Sequence, residues 1–290
     1  MPGGAVTAAV GPGPGPRLGP GLGPGLGKVD GVIGRLREIG AGLPGGDGVA
    51  VFNRMYLTVT ETVRDRLTAC DRPYFADPVA MAELDAAFAG RYLLAVDADA
   101  AGGRPPACWR PLFELRADPD VHPVQFALAG MNAHIQHDLP LAVLDTCHRL
   151  GCPPDELAGD YDRINGLLAE VETTVREQLM PGPDLLERAE PLTHRVGAWS
   201  VDAARETAWT SVLALWELRG VPLAAAALAA ALDGSVGLLG RALLTPLGFH
   251  GTTAAPAPGR LPVAGNRPGV GRTPRPGDQA QLECSGLPSA

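Results

Sequence analysis

The sequence predicts an all-α fold: a single bundle of about six to eight helices, carried between two disordered tails rich in glycine and proline. Apolar residues in the middle of the chain recur in steps of three and four, as on one face of a helix. No stretch alternates convincingly between apolar and polar residues, so no sheet is expected. The chain therefore divides into a tail at 1–27, a helical domain at 28–245 and a tail at 246–290.

Both predicted tails lack the composition needed for a core. Glycine occupies nearly every second position from Gly11 to Gly27, mixed mainly with proline and leucine. From Phe249 onward the chain is again rich in proline, glycine and threonine, and no apolar period survives. Such segments bury too little apolar area to offset the entropy of ordering them, so we expect both to be flexible.

The first helices are marked by apolar stripes and by a cap. A helix at 51–69 is predicted from the stripe formed by Phe52, Met55, Val59, Val63 and Leu67. Asp77 followed by Pro78 is typical of a helix start, because aspartate caps the free amides and proline fits the first turn. The apolar face of that second helix consists of Met81, Leu84, Phe88 and Tyr92. A short helix then opens at Cys108-Trp109, with its tryptophan packed inward.

The later helices include one that is apolar almost all round. It begins near Val121, and its composition predicts a central, buried position. Pro140 is expected to kink or end it by removing a backbone donor, although 141–150 can continue the rod. Further helices are predicted at 157–175, at 201–218 after a Ser200 cap, and at 223–244.

Charge and cysteine usage narrow the classes of partner and location. The chain has 24 basic and 32 acidic residues, a net charge of -8, and no basic run, so nucleic acid is not an expected partner. The 5 cysteines form no C-x-x-C pair, and the N-terminus lacks the features of a signal peptide, so a cytoplasmic protein is predicted. The apolar segment 221–232 is shorter than the roughly 20 residues of a membrane span. We therefore expect a buried core helix there and no span.

The main candidate for chemistry is the polar string inside the most apolar helix, Gly130 to Leu139. His134 and Asp138 stand four residues apart, one above the other on a single helix face. Such a pair can share a divalent metal, or the carboxylate can orient the imidazole for proton transfer. It can also be a buried hydrogen bond that joins helices, and a metal would need further ligands from elsewhere.

Three further polar residues interrupt apolar helix faces. Asp85 lies on the stripe of its helix, where an unpaired carboxylate would cost several kcal/mol. Arg205 has the same problem, and we expect a buried pair with Asp85 or with Asp138; the alternative is that its head bends out to solvent. Tyr56, one turn before Thr60, can direct its hydroxyl into the same interior or bond a backbone carbonyl.

Several common sites are absent from the sequence. Cys147, His148 and Cys152 lie close together but do not have the spacing of zinc ligands. No nucleophile elbow, phosphate loop or dinucleotide fingerprint is found, which disfavours the large enzyme classes that carry those motifs.

These segments also carry a resemblance to a known family. The chain resembles an uncharacterised bacterial all-helical family, the domain of unknown function catalogued as five-nine-nine-five. The similarity covers about Val49 to Leu244, and the string Asn-Ala-His-Ile-x-x-Asp-Leu is its most specific part. The other segments that carry it are Asp77-Pro78 with Leu84-Asp85 and Phe88-Ala89, Cys108-Trp109 with Leu112-Phe113, and Ala204-Arg205 with Ala208-Trp209. The resemblance implies an all-helical fold and a polar focus at His134 and Asp138; the family pattern does not fix His137, which drops out of the candidates, and it implies no activity.

Two hypotheses of different class remain. In the first, the domain is a small-molecule-binding protein, or a hydrolase- or oxidoreductase-like enzyme, whose pocket leaves hydrogen bonds unmade in the empty protein. Its predicted site residues are Tyr56, Asp85, Asn132, His134, Asp138 and Arg205. In the second, it is a non-catalytic interaction or scaffold module in which every buried polar group is already paired.

Overall fold

A computed structural model describes residues 22–69, 72–179 and 200–246, with side chains described only to 170 in the second range. The predicted all-α fold is confirmed, and these ranges contain no strand. Eight helices have 11 or more residues and one has 6. The helices are α1 (Leu22–Gly42), α2 (Gly48–Leu67), α3 (Pro78–Ala100), α4 (Arg110–Leu115), α5 (Pro123–Ala133), α6 (Leu139–Leu150), α7 (Asp155–Leu179), α8 (Val201–Glu217) and α9 (Pro222–Leu243).

Helix α1 begins inside the predicted N-terminal tail. It starts at Leu22, within the segment 1–27 predicted as a tail, and the sequence patterns predict no helix at this place. Pro24 is tolerated because the first turn of a helix needs no backbone donor. Val29 and Leu36 are fully buried against α2 and α3, which explains why the helix forms despite its glycines. The rest of the two predicted tails lies outside the described residues.

Local caps set the starts of α2, α3 and α8. The Asp47 carboxylate accepts the amides of Val49 and Ala50, so α2 starts three residues earlier than its apolar stripe predicted. Asp77 caps α3 in the same way, and Ser200 caps α8, both as predicted. These caps satisfy amides that the first helical turn leaves free.

Helices α5 and α6 form one rod around a π-helical turn at His134–Asp138. The rod does not end at Pro140, which occupies the first turn of α6. The Leu139 amide bonds the His134 carbonyl five residues back, which is the π-helical pattern. The wider turn accommodates a proline ring that would clash with the carbonyl four residues earlier in a regular helix. Proline therefore shapes the helix at the polar string.

Two hydrophobic clusters pack against successive parts of this rod. One joins α5 to α2, α4 and α9, and the other joins the π-helical turn and α6 to α7 and α8; both draw on α1, α2 and α3. Phe88, Met131 and Leu57 are partly buried and contact both clusters. The polar string therefore lies where the two clusters meet.

Helix α9 is largely exposed, which corrects the prediction of a buried core helix. It is long and apolar enough to cross a membrane by length and composition, yet only 11% of its apolar window is buried. Leu223 and Leu238 are 87% and 75% exposed. Its C-terminal half, from about Leu232, rests on the domain, and its fully buried residues begin at Val236. The absence of a membrane span remains a prediction.

Candidate functional site

Asp138 is the centre of a buried hydrogen-bond network. Its Oδ2 accepts a hydrogen bond from Trp109 Nε1 at 3.0 Å and lies 3.1 Å from His134 Nδ1. Its Oδ1 lies 2.8 Å from His137 Nδ1. Burial by itself would raise the pKa of Asp138, but the hydrogen bonds from the two histidines outweigh it and the pKa lies below its ordinary value. Because an ionised carboxylate only accepts, we assign the Nδ1 proton to both rings. In its neutral form each histidine therefore carries its lone pair on Nε2.

His134 is the member of this network with a reactive atom left over. Its Nε2 is buried and has no hydrogen-bond partner within the protein. Phe88 stacks on one face of the ring at 3.5 Å, and Tyr56 meets it edge to face at 4.4 Å between centroids. Burial lowers the pKa of His134, opposed by the bond to Asp138. The ring is thus a neutral imidazole whose base atom faces the interior.

Two more unpaired polar atoms accompany His134. Among the described residues, four buried side-chain polar atoms have no hydrogen-bond partner, and three of them are Tyr56 Oη, Asp85 Oδ2 and His134 Nε2. Burial raises the pKa of Asp85 to about 7, and burial followed by the Asp85 charge raises the pKa of Tyr56. The prediction that Asp85 must be paired is therefore wrong for Oδ2. Tyr56 does not bond a backbone carbonyl. The Thr60 hydroxyl donates to the Tyr56 carbonyl and lies near enough to the Tyr56 hydroxyl to oppose the rise in its pKa, without forming a hydrogen bond to it.

Close helix approach brings the aromatic walls of the site together. A Cβ on Gly130 would lie 2.3 Å from the ring of Phe52, so only glycine lets α5 approach α2 this closely. Phe52 in turn lies edge-on to His134 at 5.9 Å. Tyr92 and Trp109 complete the ring of aromatics around the imidazole.

Asn132, a predicted site residue, has both ends of its amide occupied. Its Nδ2 donates to the carbonyl of Val236 at 3.0 Å, and its Oδ1 accepts Gln136 Nε2 at 2.7 Å. The side chain is fully buried. The bond to Val236 joins α5 to α9, which gives Asn132 a structural task.

Arg205 does not pair with Asp85 or Asp138, so that prediction is wrong. Its guanidinium donates to Asn165 Oδ1 and to the Tyr161 carbonyl, and lies 4.1 Å from the centroid of the Tyr161 ring. It is 4% exposed, so the alternative of a head bent out to solvent is wrong as well. The reason is packing: α8 presents Arg205 to α7, whereas Asp138 is already surrounded by N–H donors.

The residues placed to hold a metal differ from those predicted. His134 and Asp138 point at each other through a hydrogen bond, which does not favour their sharing an ion. Within the described ranges, the group whose ligand atoms all lie within 4.8 Å of one another is Cys108, His137 and Asp233. It adjoins the network because His137 is bonded to Asp138.

The sequence does not reveal this group, because its members are distant in the chain. The family resemblance leaves His137 out of the candidates, although it lies beside Asp138 in the same string. Asp233 carries the one usable signal, since it is the sole acidic residue of the largely apolar α9. Nothing in the spacing of Cys108 links it to either residue.

The geometry around His134 supports proton transfer or polar binding. A neutral imidazole oriented by an ionised carboxylate can accept a proton at Nε2. The Tyr56 hydroxyl can donate a hydrogen bond. The Asp85 carboxyl, with a pKa near neutrality, can donate one when protonated and accept one when ionised. Strongly perturbed groups gathered in one interior are typical of functional sites.

Comparison with known proteins gives a family and no activity. No curated protein and no solved structure matches the chain. The sequence model of one family matches residues 29–246, most of the 290-residue chain and close to the extent of the resemblance. That family is described as a family of unknown function. The chain belongs to this family, DUF5995, which is the one that the His134–Asp138 string predicted.

Proposed function

We propose that the domain binds a small polar molecule between its two hydrophobic clusters and that His134 acts on it as a proton acceptor. The observation that carries this proposal is the buried Nε2 of His134, which has no partner within the protein although Asp138 fixes the opposite nitrogen. A buried polar group without a partner costs about 1–3 kcal/mol. A protein that bears this cost three times around one histidine is better explained by a ligand than by stability.

The unpaired atoms define the ligand that would complement them. Nε2 of His134 needs an O–H or N–H donor, and the Tyr56 hydroxyl needs an acceptor. Asp85 can donate while protonated, and its pKa of about 7 lets it change role near neutral pH. The aromatic walls favour a small, mostly neutral molecule with an apolar body and one or two hydroxyl or amide groups.

Two partly buried side chains at the junction of the two hydrophobic clusters offer a way into the site. Phe88 covers the face of His134, and Met131 lies one turn before it; both are only partly buried. Methionine adapts readily to new neighbours because it is unbranched and flexible. Rearrangement of these two side chains would open the interior without unfolding a helix.

The test is a binding screen read out by ¹³C-methyl methionine NMR on the full chain. The probes are a fragment set of neutral alcohols, phenols and primary amides. Binding should shift the signals of Met131, which lies one turn before His134, and of Met55, which is next to Tyr56 in the chain.

The matched variants separate binding from folding. His134→Gln should abolish the shifts. Thr146→Val is the control: it removes a hydroxyl from α6 at a position as buried as His134, and it should retain the shifts. If no fragment shifts Met55 or Met131, or if His134→Gln binds as the wild type does, the proposal fails. The unpaired atoms would then be hydrated by buried water or would simply lower stability.

The exposed face of α9 favours a second candidate, a non-catalytic interaction module. Leu223 and Leu238 are large apolar side chains in water, and exposed apolar helices commonly mark contact surfaces. In this case light scattering should show self-association that Leu223→Glu and Leu238→Glu reduce. A monomer at all concentrations would remove the support that α9 gives to this candidate.

A further inference from the structure

Three side chains with metal-binding atoms converge beside Asp138 from distant parts of the sequence. We propose that Cys108, His137 and Asp233 bind a zinc ion, with water as the fourth ligand. Cys108 lies just before α4, His137 in the π-helical turn and Asp233 in α9. This site is separate from the ligand site at His134 and does not depend on it.

The ligand atoms have a spacing close to that of a metal centre. All three lie within 4.8 Å of one another, and His137 Nε2 is 3.8 Å from Asp233 Oδ1. That distance is too long for a hydrogen bond. Tetrahedral zinc, with bonds of about 2.0–2.3 Å, separates its ligands by roughly 3.3–3.6 Å. Small side-chain rotations would therefore complete the geometry.

The ligands are oriented by groups around them. His137 donates its Nδ1 proton to Asp138, so Nε2 presents its lone pair to the site. This carboxylate–histidine arrangement recurs behind metal-bound histidines, where it fixes the ring and raises its basicity. The two oxygens of Asp233 accept the amides of Ala107 and Cys108, each at 2.9 Å, and each keeps a lone pair.

Close packing fixes the distance between α9 and the cysteine. Gly237 lies one turn after Asp233, and a Cβ at this position would come within 2.5 Å of the Ala107 carbonyl oxygen. Helix α9 thus rests directly on the backbone next to Cys108. The third ligand is held in place by backbone contact and not by side chains alone.

The local charge favours a cation. Asp138 and Asp233 are both acidic, and in the described ranges neither forms an ion pair with an arginine or a lysine. In the same ranges, their ion-pair distances are to histidine rings, which are charged only when protonated. A bound divalent ion would compensate two carboxylates that are otherwise held in or near the interior.

The donor types select zinc over magnesium or calcium. Thiolate and imidazole are ligands for zinc and similar transition ions, whereas magnesium and calcium prefer all-oxygen sites. Three protein ligands leave one position for solvent, as in zinc sites that act on substrates. Asp233 is partly exposed, so water can reach that position.

Without metal, the same groups can form an ordinary hydrogen bond. The Cys108 thiol is close enough to donate to the Asp233 carboxylate, which is the competing explanation of the cluster. Metal binding breaks the S–H bond, forms an S–Zn bond and releases one proton to solvent. The two explanations therefore differ in whether the purified protein takes up a metal with proton release.

The test uses the full-length protein stripped with a chelator and titrated with Co²⁺, whose bond to a cysteine thiolate gives a charge-transfer band in the near ultraviolet. We expect one cobalt per chain, displaced by Zn²⁺, with release of one proton. Cys108→Ser should abolish the band and weaken zinc binding by at least about 100-fold, more than the effect typical of outer-shell changes. Cys147→Ser is the matched control, because Cys147 is an equally buried free cysteine outside the cluster, and it should retain the band.

A second variant covers the case in which Cys108→Ser fails to fold. Asp233→Asn changes a partly exposed ligand and leaves the cysteine intact. It should weaken cobalt binding by at least about 100-fold, the upper end of outer-shell effects, while circular dichroism shows an unchanged helical content. If the wild type takes up no cobalt, the proposal fails. It also fails if the band is lost in Cys147→Ser and retained in Cys108→Ser. Cys147 and Cys152 are close enough to interact and could then hold the cobalt.

One further variant keeps this test distinct from the proposed function. His134→Gln should remove fragment binding but retain the cobalt band, because His134 contributes no ligand to the metal. A wild-type protein that binds fragments but takes up no cobalt would refute the zinc site alone. A wild-type protein that takes up cobalt but binds no fragment would refute only the ligand site.

Discussion

Two buried polar clusters in this domain look alike in the sequence but differ in how their hydrogen bonds are met. At Arg205, the guanidinium donates to Asn165 and to the Tyr161 carbonyl, and the Tyr161 hydroxyl donates back to the Arg205 carbonyl at 2.8 Å. At His134, the imidazole Nε2, the Tyr56 hydroxyl and one Asp85 oxygen have no partner within the protein. The first cluster joins α7 to α8, and the second lies between the two hydrophobic clusters.

The difference teaches that a polar residue on an apolar face is an ambiguous signal. Each residue that interrupts a stripe must be paired, hydrated or tolerated at a cost, and only the structure tells which. Arg205 is paired, so its task is structural. The His134 cluster is not paired by the protein, so it is the better candidate for a ligand.

The largest expected effect is on the paired cluster. Arg205→Met keeps the apolar stem but leaves the Tyr161 carbonyl and Asn165 without their donor, so we expect a loss of about 2–4 kcal/mol in the free energy of unfolding. Denaturant unfolding measures it. Arg37→Met is the control: Arg37 is 63% exposed and its bridge to Glu61 is worth about 0–1 kcal/mol. Equal losses in the two variants would show that the Arg205 cluster does not stabilise the fold.

The next effect concerns the pH dependence of stability. Burial raises the pKa of Asp85 to about 7 from an ordinary 3.8, so the folded protein retains a proton that the unfolded chain has lost. Stability therefore falls as pH rises from about 4 towards about 7. At about 1.4 kcal/mol per pH unit, the free energy of unfolding should fall by at most about 4 kcal/mol over this pH range.

Replacing Asp85 should remove this pH dependence. Asp85→Asn cannot ionise, so its stability should fall less between pH 4 and pH 8, and it should be the more stable protein at pH 8. Denaturant unfolding at several pH values measures both proteins, with Asp30→Asn as a control at an exposed carboxylate. An unchanged pH slope in Asp85→Asn would mean that the carboxylate ionises freely, by hydration or by a rearranged partner.

Features encoded within a few residues could be predicted from the sequence. The Asp77 cap and the apolar stripes depend on neighbours three or four positions away, so the helices they mark are present. The contact between His134 and Asp138 is of the same kind, since one helix contains both. The all-α class follows from such local signals.

Features that depend on long-range packing could not be predicted. The partners of Arg205 lie on α7, and the sequence does not say which helix faces which. Cys108 and Asp233 are 125 residues apart and meet only because α9 ends on the domain. Helix α9 shows the same limit, because apolar composition does not reveal whether a neighbouring helix covers it.

The smallest effect gives the sharpest comparison, because it uses the same substitution in both clusters. Tyr161→Phe removes a hydroxyl that donates to the Arg205 carbonyl, and it should cost about 1 kcal/mol. Tyr56→Phe removes a buried hydroxyl that has no partner within the protein, so it should cost nothing or stabilise the domain by up to about 1 kcal/mol. The same variant should weaken fragment binding, because it removes a donor from the proposed site. If Tyr56→Phe instead destabilises as much as Tyr161→Phe, the Tyr56 hydroxyl is bonded in solution, and the two clusters are alike in structure as well as in sequence.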